Sequence, residues 1–348
     1  MNAKTEFNIA SVTWVKGEID QVLSLVRQYL EQYSFNPDDN AQIKFCRNHV
    51  HQVSGVMEML GLSGVAVVSR EMENLIESLV RHEIKPQPQV LGVLNRATSA
   101  ISHYLDELIS GAGDNPLRLF PVYRDLMQAR GVQSQSISES ELFFPDLSVR
   151  PLPRDVAPPL DPATLETLAK EARAGFQAGL LKWLRSPTPE APANKDGLQQ
   201  MFDAVRAIEE IPAPIEQRTF WWASLGFVDS LLHQGLAADL SVRRLCARIE
   251  QEIRHLTDGT PAVTEQLMRE VLYQVARSKP VTEHIREICR AYGWREQLSS
   301  GEQDAAKSAV EEEALRPILE EMRGALAEAK DAWLKYSAGK KESLTVLL

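Results

Sequence analysis

Apolar residues return every three or four positions through most of this 348-residue chain, while alternating runs of β-branched residues and Asn-Gly hairpin turns are nearly missing. That period buries one face of an α-helix and cannot sit on a sheet. Ile19, Val22, Leu23, Val26, Tyr29 and Leu30 mark a first helix. The segment FNPDDN breaks it, and Asp39 or Asn40 can cap a second helix from about Ala41 to Leu60. Gly61-Leu62-Ser63-Gly64 turns the chain into a third, carrying Val65, Val68, Met72, Leu75, Ile76 and Leu79. Gln89 to Ser110 is a fourth, and a fifth runs to about Met127 with Pro121 in its first turn. The expected fold is all-α: an antiparallel bundle with short connections over residues 1–130, followed by a second helical domain.

Residues 131–161 are rich in Ser and Pro and lack a period, which predicts an interdomain linker. FFPDL within it is apolar and is expected to pack on a neighbouring surface. From Pro162 the helical pattern resumes. Leu165 to Leu184 is one helix, SPTPEAPANKDG a polar loop, and Leu198 to Ile208, Phe220 to Gln234, Leu240 to Leu256, Thr264 to Ala276 and Thr282 to Tyr292 are further helices. Residues 162–298 thus form the second all-α domain. A polar spacer and an amphipathic face from Leu315 to Trp333 occupy 299–348, and they read as the start of a further bundle in a longer chain.

Function classes narrow on charge and chemistry. A net charge of −10 argues against nucleic acid, which needs a broad basic face, but leaves room for a small basic patch. Cys46, Cys246 and Cys289 are scattered, so neither a disulfide framework nor a zinc site is implied. No stretch is long and apolar enough to insert in a membrane, and a cytoplasmic protein is expected. No P-loop, dinucleotide fingerprint or nucleophile elbow is present, so no cofactor is implied and any kinase core lies outside these residues. His103, His255 and His284 each have a carboxylate three residues on, yet none has a second histidine nearby, and no metal site is expected.

The candidate chemistry lies in HVHQVSGVMEMLG, residues 49–61. On a helical wheel Ile43, Cys46, Val50, Val53, Met57 and Leu60 share a buried stripe. Arg47, His51, Ser54 and Glu58 share a second, roughly 115° away, with Gly55 beside it. His51 should therefore face solvent, and His49 should border the core. Imidazole suits reversible phosphoryl transfer through nitrogen, and a glycine one turn on clears space for a protein partner. The plainer alternative is a solvated histidine on a helix surface.

This spacing resembles the histidine phosphotransfer (Hpt) domain, whose helix carries His-x-x-Lys-Gly and a second glycine ten residues after the histidine. His51, Ser54, Gly55 and Gly61 occupy those positions, and Met72-Glu73 fits the Leu/Met-Glu motif of the family's next helix. Ser54 stands where the family has lysine and brings no charge; Arg47, one turn before His51, is the substitute in sequence. With FFPDLSVRPLP and the Trp-Trp helix TFWWASLGFVDSLL, the whole chain resembles the N-terminal region of chemotaxis-type hybrid kinases of type IV pilus systems, the ChpA and PilL type, and the FimL-type scaffolds. The resemblance implies a phosphorelay module for twitching motility. His51 would be its phospho-acceptor, and Arg47, Ser54, Gly55 and Glu58 would form a docking face. Its partners would be receiver domains of response regulators and a histidine kinase core, possibly on the same polypeptide. A non-catalytic scaffold that kept the fold is the alternative. Trp221 and Trp222 are expected to divide between core and partial exposure.

Overall fold

The computed structural model describes residues 9–37, 40–149, 151–152, 160–185, 192–258 and 263–294, and these are helical with no β-strand among them. The all-α expectation holds. The described residues all fall in one compact unit; the expected spacer and amphipathic helix of residues 299–348 lie outside the described residues, as does the candidate cap Asp39.

Five helices make the first set: α1 (Ile9–Phe35), α2 (Asn40–Met59), α3 (Ser63–Val80), α4 (Pro88–Ile109) and α5 (Phe120–Ala129). The sequence dictates how they meet. On α1 the buried residues are Val12, Lys16, Ile19, Leu23, Val26, Leu30 and Tyr33; on α2 they include Ile43, Cys46, Val50, Val53 and Met57. Both runs alternate steps of three and four, which keeps a single seam facing a neighbour. α1 packs on α2 and α4, α2 on α3, and α5 on both α3 and α4. The lysine in the α1 seam is held by Asp20 at 2.5 Å and Asp106 at 2.9 Å. Gly61, at φ +75°, makes the left-handed turn between α2 and α3.

The second set comprises α6 (Pro162–Arg185), α7 (Pro192–Glu209), α8 (Ile215–Leu232), α9 (Leu240–Thr257), α10 (Glu265–Ala276) and α11 (Glu283–Tyr292). Every residue of α8 from Thr219 to Leu231 is buried, so it is the central helix, with α7, α10 and α11 against it. Trp221 and Trp222 are both buried, rather than one being partly exposed, because α8 is enclosed on all sides. Thr264 and Thr282 cap α10 and α11 through side-chain oxygens, and Gly293 ends α11 at φ +67°.

Helix α7 begins earlier than its sequence pattern suggests. Pro192 opens it, a position where proline's missing N–H costs nothing, and Gly197 lies inside the helix. A Cβ on Gly197 would lie 2.7 Å from the Gly179 carbonyl, and one on Gly179 would lie 2.5 Å from the Gly197 carbonyl. The two glycines let α6 and α7 touch backbone to backbone.

The first part of the Ser/Pro-rich segment, residues 131–149, carries local structure and packs on both helical sets. Short 3-10 helices span Ser134–Ser136 and Glu139–Leu142. Leu142 is fully buried in the core of α1–α5. Its neighbour Phe143 points the other way, edge-on to Tyr273 and Trp294 at 5.5 Å each. Tyr273 also donates a hydrogen bond to Glu139, and Arg244 reaches the Gln135 carbonyl at 2.8 Å.

Candidate functional site

The antiparallel pair α2 and α3 carries the histidine face. His51 is 74% exposed, and its Nδ1 lies 3.1 Å from a carboxylate oxygen of Glu73 on α3. Because the carboxylate accepts, this geometry assigns the ring proton to Nδ1 and leaves Nε2 as the free lone pair. Glu73 thus fixes the tautomer and the plane of an exposed imidazole. Gly55, one turn further along α2, is open: a Cβ there would meet nothing within 4 Å. His49 lies at the boundary on the opposite flank, stacked on Tyr29 at 5.6 Å, as the wheel places it.

The other residues of the stripe divide. Glu58 is exposed and paired with Arg70 of α3. Arg47 is half-buried and bonded to Glu77, which also takes Arg81; the two guanidiniums, Arg47 first, hold the Glu77 carboxyl below its ordinary range. Arg47 is therefore committed to an ion pair and is no ready stand-in for a lysine beside His51. Ser54 does not share the solvent face. It is 5% exposed, and its hydroxyl donates to the Ala66 carbonyl of α3 at 3.4 Å. The wheel misplaced it because α2 is flanked by α1 and α3, so two sides of the helix are covered rather than one. The face that is brought together is His51, Glu73, Gly55, Glu58 and Arg70. Arg70 was missed in the sequence; its spacing three residues before Glu73 puts both on one face of α3, and that signal was available.

Among the described residues no group of three or more His, Cys, Asp or Glu side chains could hold a metal ion. The thiols are buried, and burial pushes Cys46 up to about 12, so it is an inert core residue.

Two family models match the chain. The FimL C-terminal domain covers residues 9–119, and the FimL scaffold protein second domain covers residues 161–306. The chain belongs to the FimL family. The model described as C-terminal lies on α1–α4 and precedes the second-domain match, which spans α6–α11. Residues 120–160, including α5 and the Leu142-Phe143 joint, fall between the two. No curated protein and no solved structure matches the chain. Among the described residues no helix is long and apolar enough to cross a membrane.

Proposed function

We propose that this FimL-like chain is a cytoplasmic signalling scaffold of a type IV pilus system, whose α2–α3 face docks receiver domains and accepts a phosphoryl group on His51. The carrying observation is an exposed imidazole with Nδ1 anchored to Glu73 and Nε2 free. In the step, the Nε2 lone pair attacks phosphorus, the donor's bond to phosphorus breaks, and the new N–P bond leaves an imidazolium whose charge Glu73 balances. Gly55 keeps the approach open for a protein donor, and the second helical set carries the scaffolding role. The test is incubation with the cognate kinase and labelled ATP. Acid-labile label should appear on the wild-type chain and vanish in His51→Gln.

A second reading has its own observation. With Ser54 buried and Arg47 tied to Glu77, no lysine-like charge stands one turn after the histidine. On that reading the chain docks the same receiver domains without chemistry. Absence of label, together with receiver binding that Gly55→Arg weakens, selects it.

A further inference from the structure

The outer groove between α1 and α2 carries an apolar surface that no described helix covers. Helix α2 runs back along α1: Tyr29 meets Phe45 at 5.7 Å and His49 at 5.6 Å, and the Cys46 thiol lies 4.0 Å from the Val26 carbonyl. Trp14 lies as far before Val26 as Met59 lies beyond Cys46, to within one residue, so these two share the far end of the pair. The floor of the groove is Val15, Val22, Tyr29 and Val56, half-buried against the core. Its walls stand in solvent: Trp14 is 85% exposed, Met59 80%, Phe45 50% and Leu25 37%. Single exposed apolar residues are ordinary, but a continuous line of them along one groove marks an interaction surface.

The polar residues of this surface are unusual for a chain of which 25% is charged. Gln21, Gln28 and Gln32 on α1, and Asn48 and Gln52 on α2, are exposed amides. Among the described residues of these two faces, Glu18 is the one acidic or basic side chain apart from the His49 ring. Aromatic residues and methionine with few charges are the composition of the buried centre of an interface, above all between identical chains. Charge then selects the occupant. Each chain carries a net charge of −10, so two copies repel over most of their surfaces and approach best on a near-neutral face. A different protein would be read here through complementary rim charges, and an anionic membrane through lysines and arginines. The face offers neither.

The two ends of the groove are also complementary. Trp14 and Met59 project at one end; at the other, Tyr29 is half-buried and Phe45 lies against it. A two-fold axis through the middle, beside Val22 and Gln52, sets the projecting end of each copy on the recessed end of the other. From Trp14 to Gln32 the face is about 27 Å long, and across two helices it is roughly 20 Å wide. Side-chain relief brings that plan area near the ~800 Å² per partner of a standard-size interface. We infer that the chain forms a two-fold dimer through its α1–α2 groove, in which the two helix pairs make a four-helix layer. The groove lies roughly 120° round α2 from His51, so the inference does not depend on the chemistry proposed there.

Sedimentation velocity of the full chain over a concentration series tests this. A reversible species with the mass of two chains is expected, with a dissociation constant in the micromolar range or tighter. Phe45→Glu with Met59→Glu would bury unpartnered carboxylates in the interface and should weaken the dimer at least about tenfold. Both side chains are exposed in the single chain, so the far-UV spectrum of the double variant should be unchanged. Gln52→Cys gives a second readout. It stands beside the axis, the native thiols are buried, and mild oxidation should join two copies covalently. A single-chain mass at every concentration overturns the inference, as does a dimer that the double variant leaves intact or that Gln52→Cys does not cross-link.

Discussion

His51 and Ser54 lie three residues apart on α2, and their surroundings are opposite. The exposure of His51 follows from the helical wheel; the burial of Ser54 does not, because a wheel shows the face toward one neighbour and α2 has two. Ser54→Lys would thus not restore a family lysine on the surface. It forces an ammonium into the α2–α3 seam, and a loss of about 1–3 kcal/mol is expected by urea denaturation. Gly55→Arg should leave stability intact, or raise it by up to ~1 kcal/mol through helix propensity, while weakening receiver binding in a pull-down titration. A third residue links stability to pH. Burial holds the Asp114 carboxyl above its ordinary value, with the hydrogen bond from Tyr104 acting the other way. Below the unfolded value of 3.8 the group is protonated in both states and contributes nothing. As pH rises past it the unfolded chain ionises first, so the folded state loses stability until the raised value is passed. Asp114→Asn keeps an acceptor for Tyr104. It should raise the urea midpoint at pH 7 and leave it nearly unchanged at pH 3.

Helices were legible wherever the apolar period ran unbroken, and α2 and α4 fall within one residue of their sequence bounds. Helix α7 was not, because proline and glycine read locally as breakers. Only the α6–α7 contact shows that Gly197 is there for closeness rather than for a turn. Glycine therefore has two meanings here, and one substitution separates them. Gly55→Ala meets open space and should gain up to ~1 kcal/mol. Gly179→Ala places a methyl 2.5 Å from a backbone oxygen that cannot swing away, and it should lose about 1–3 kcal/mol despite the same propensity gain. Thermal melts of the two variants should shift in opposite directions.

At the scale of the molecule, the segment that composition marks as a linker is a joint. Its apolar residues were legible; which core each one enters was not, since that depends on partners over a hundred residues away, such as Tyr273 and Trp294. Leu142 fills the first core, and Phe143 packs on the second set. Calorimetry of the intact chain should show the two sets melting together, and Leu142→Ala with Phe143→Ala should split or broaden the transition. The joint also decides how the molecule can be divided. The proposed boundary after residue 130 and the family match ending at residue 119 both cut ahead of Leu142. A fragment ending at residue 130 carries a hole the size of a leucine, a defect that costs about 2–5 kcal/mol in well-packed cores, and one ending at residue 119 also loses Val122, Tyr123 and Leu126 of α5 from that core. One extended through residue 142 regains its plug yet leaves the second set without the aromatic ring against Tyr273. No single cut gives both halves their native surfaces, so each half assayed alone will understate the stability it has in the whole chain.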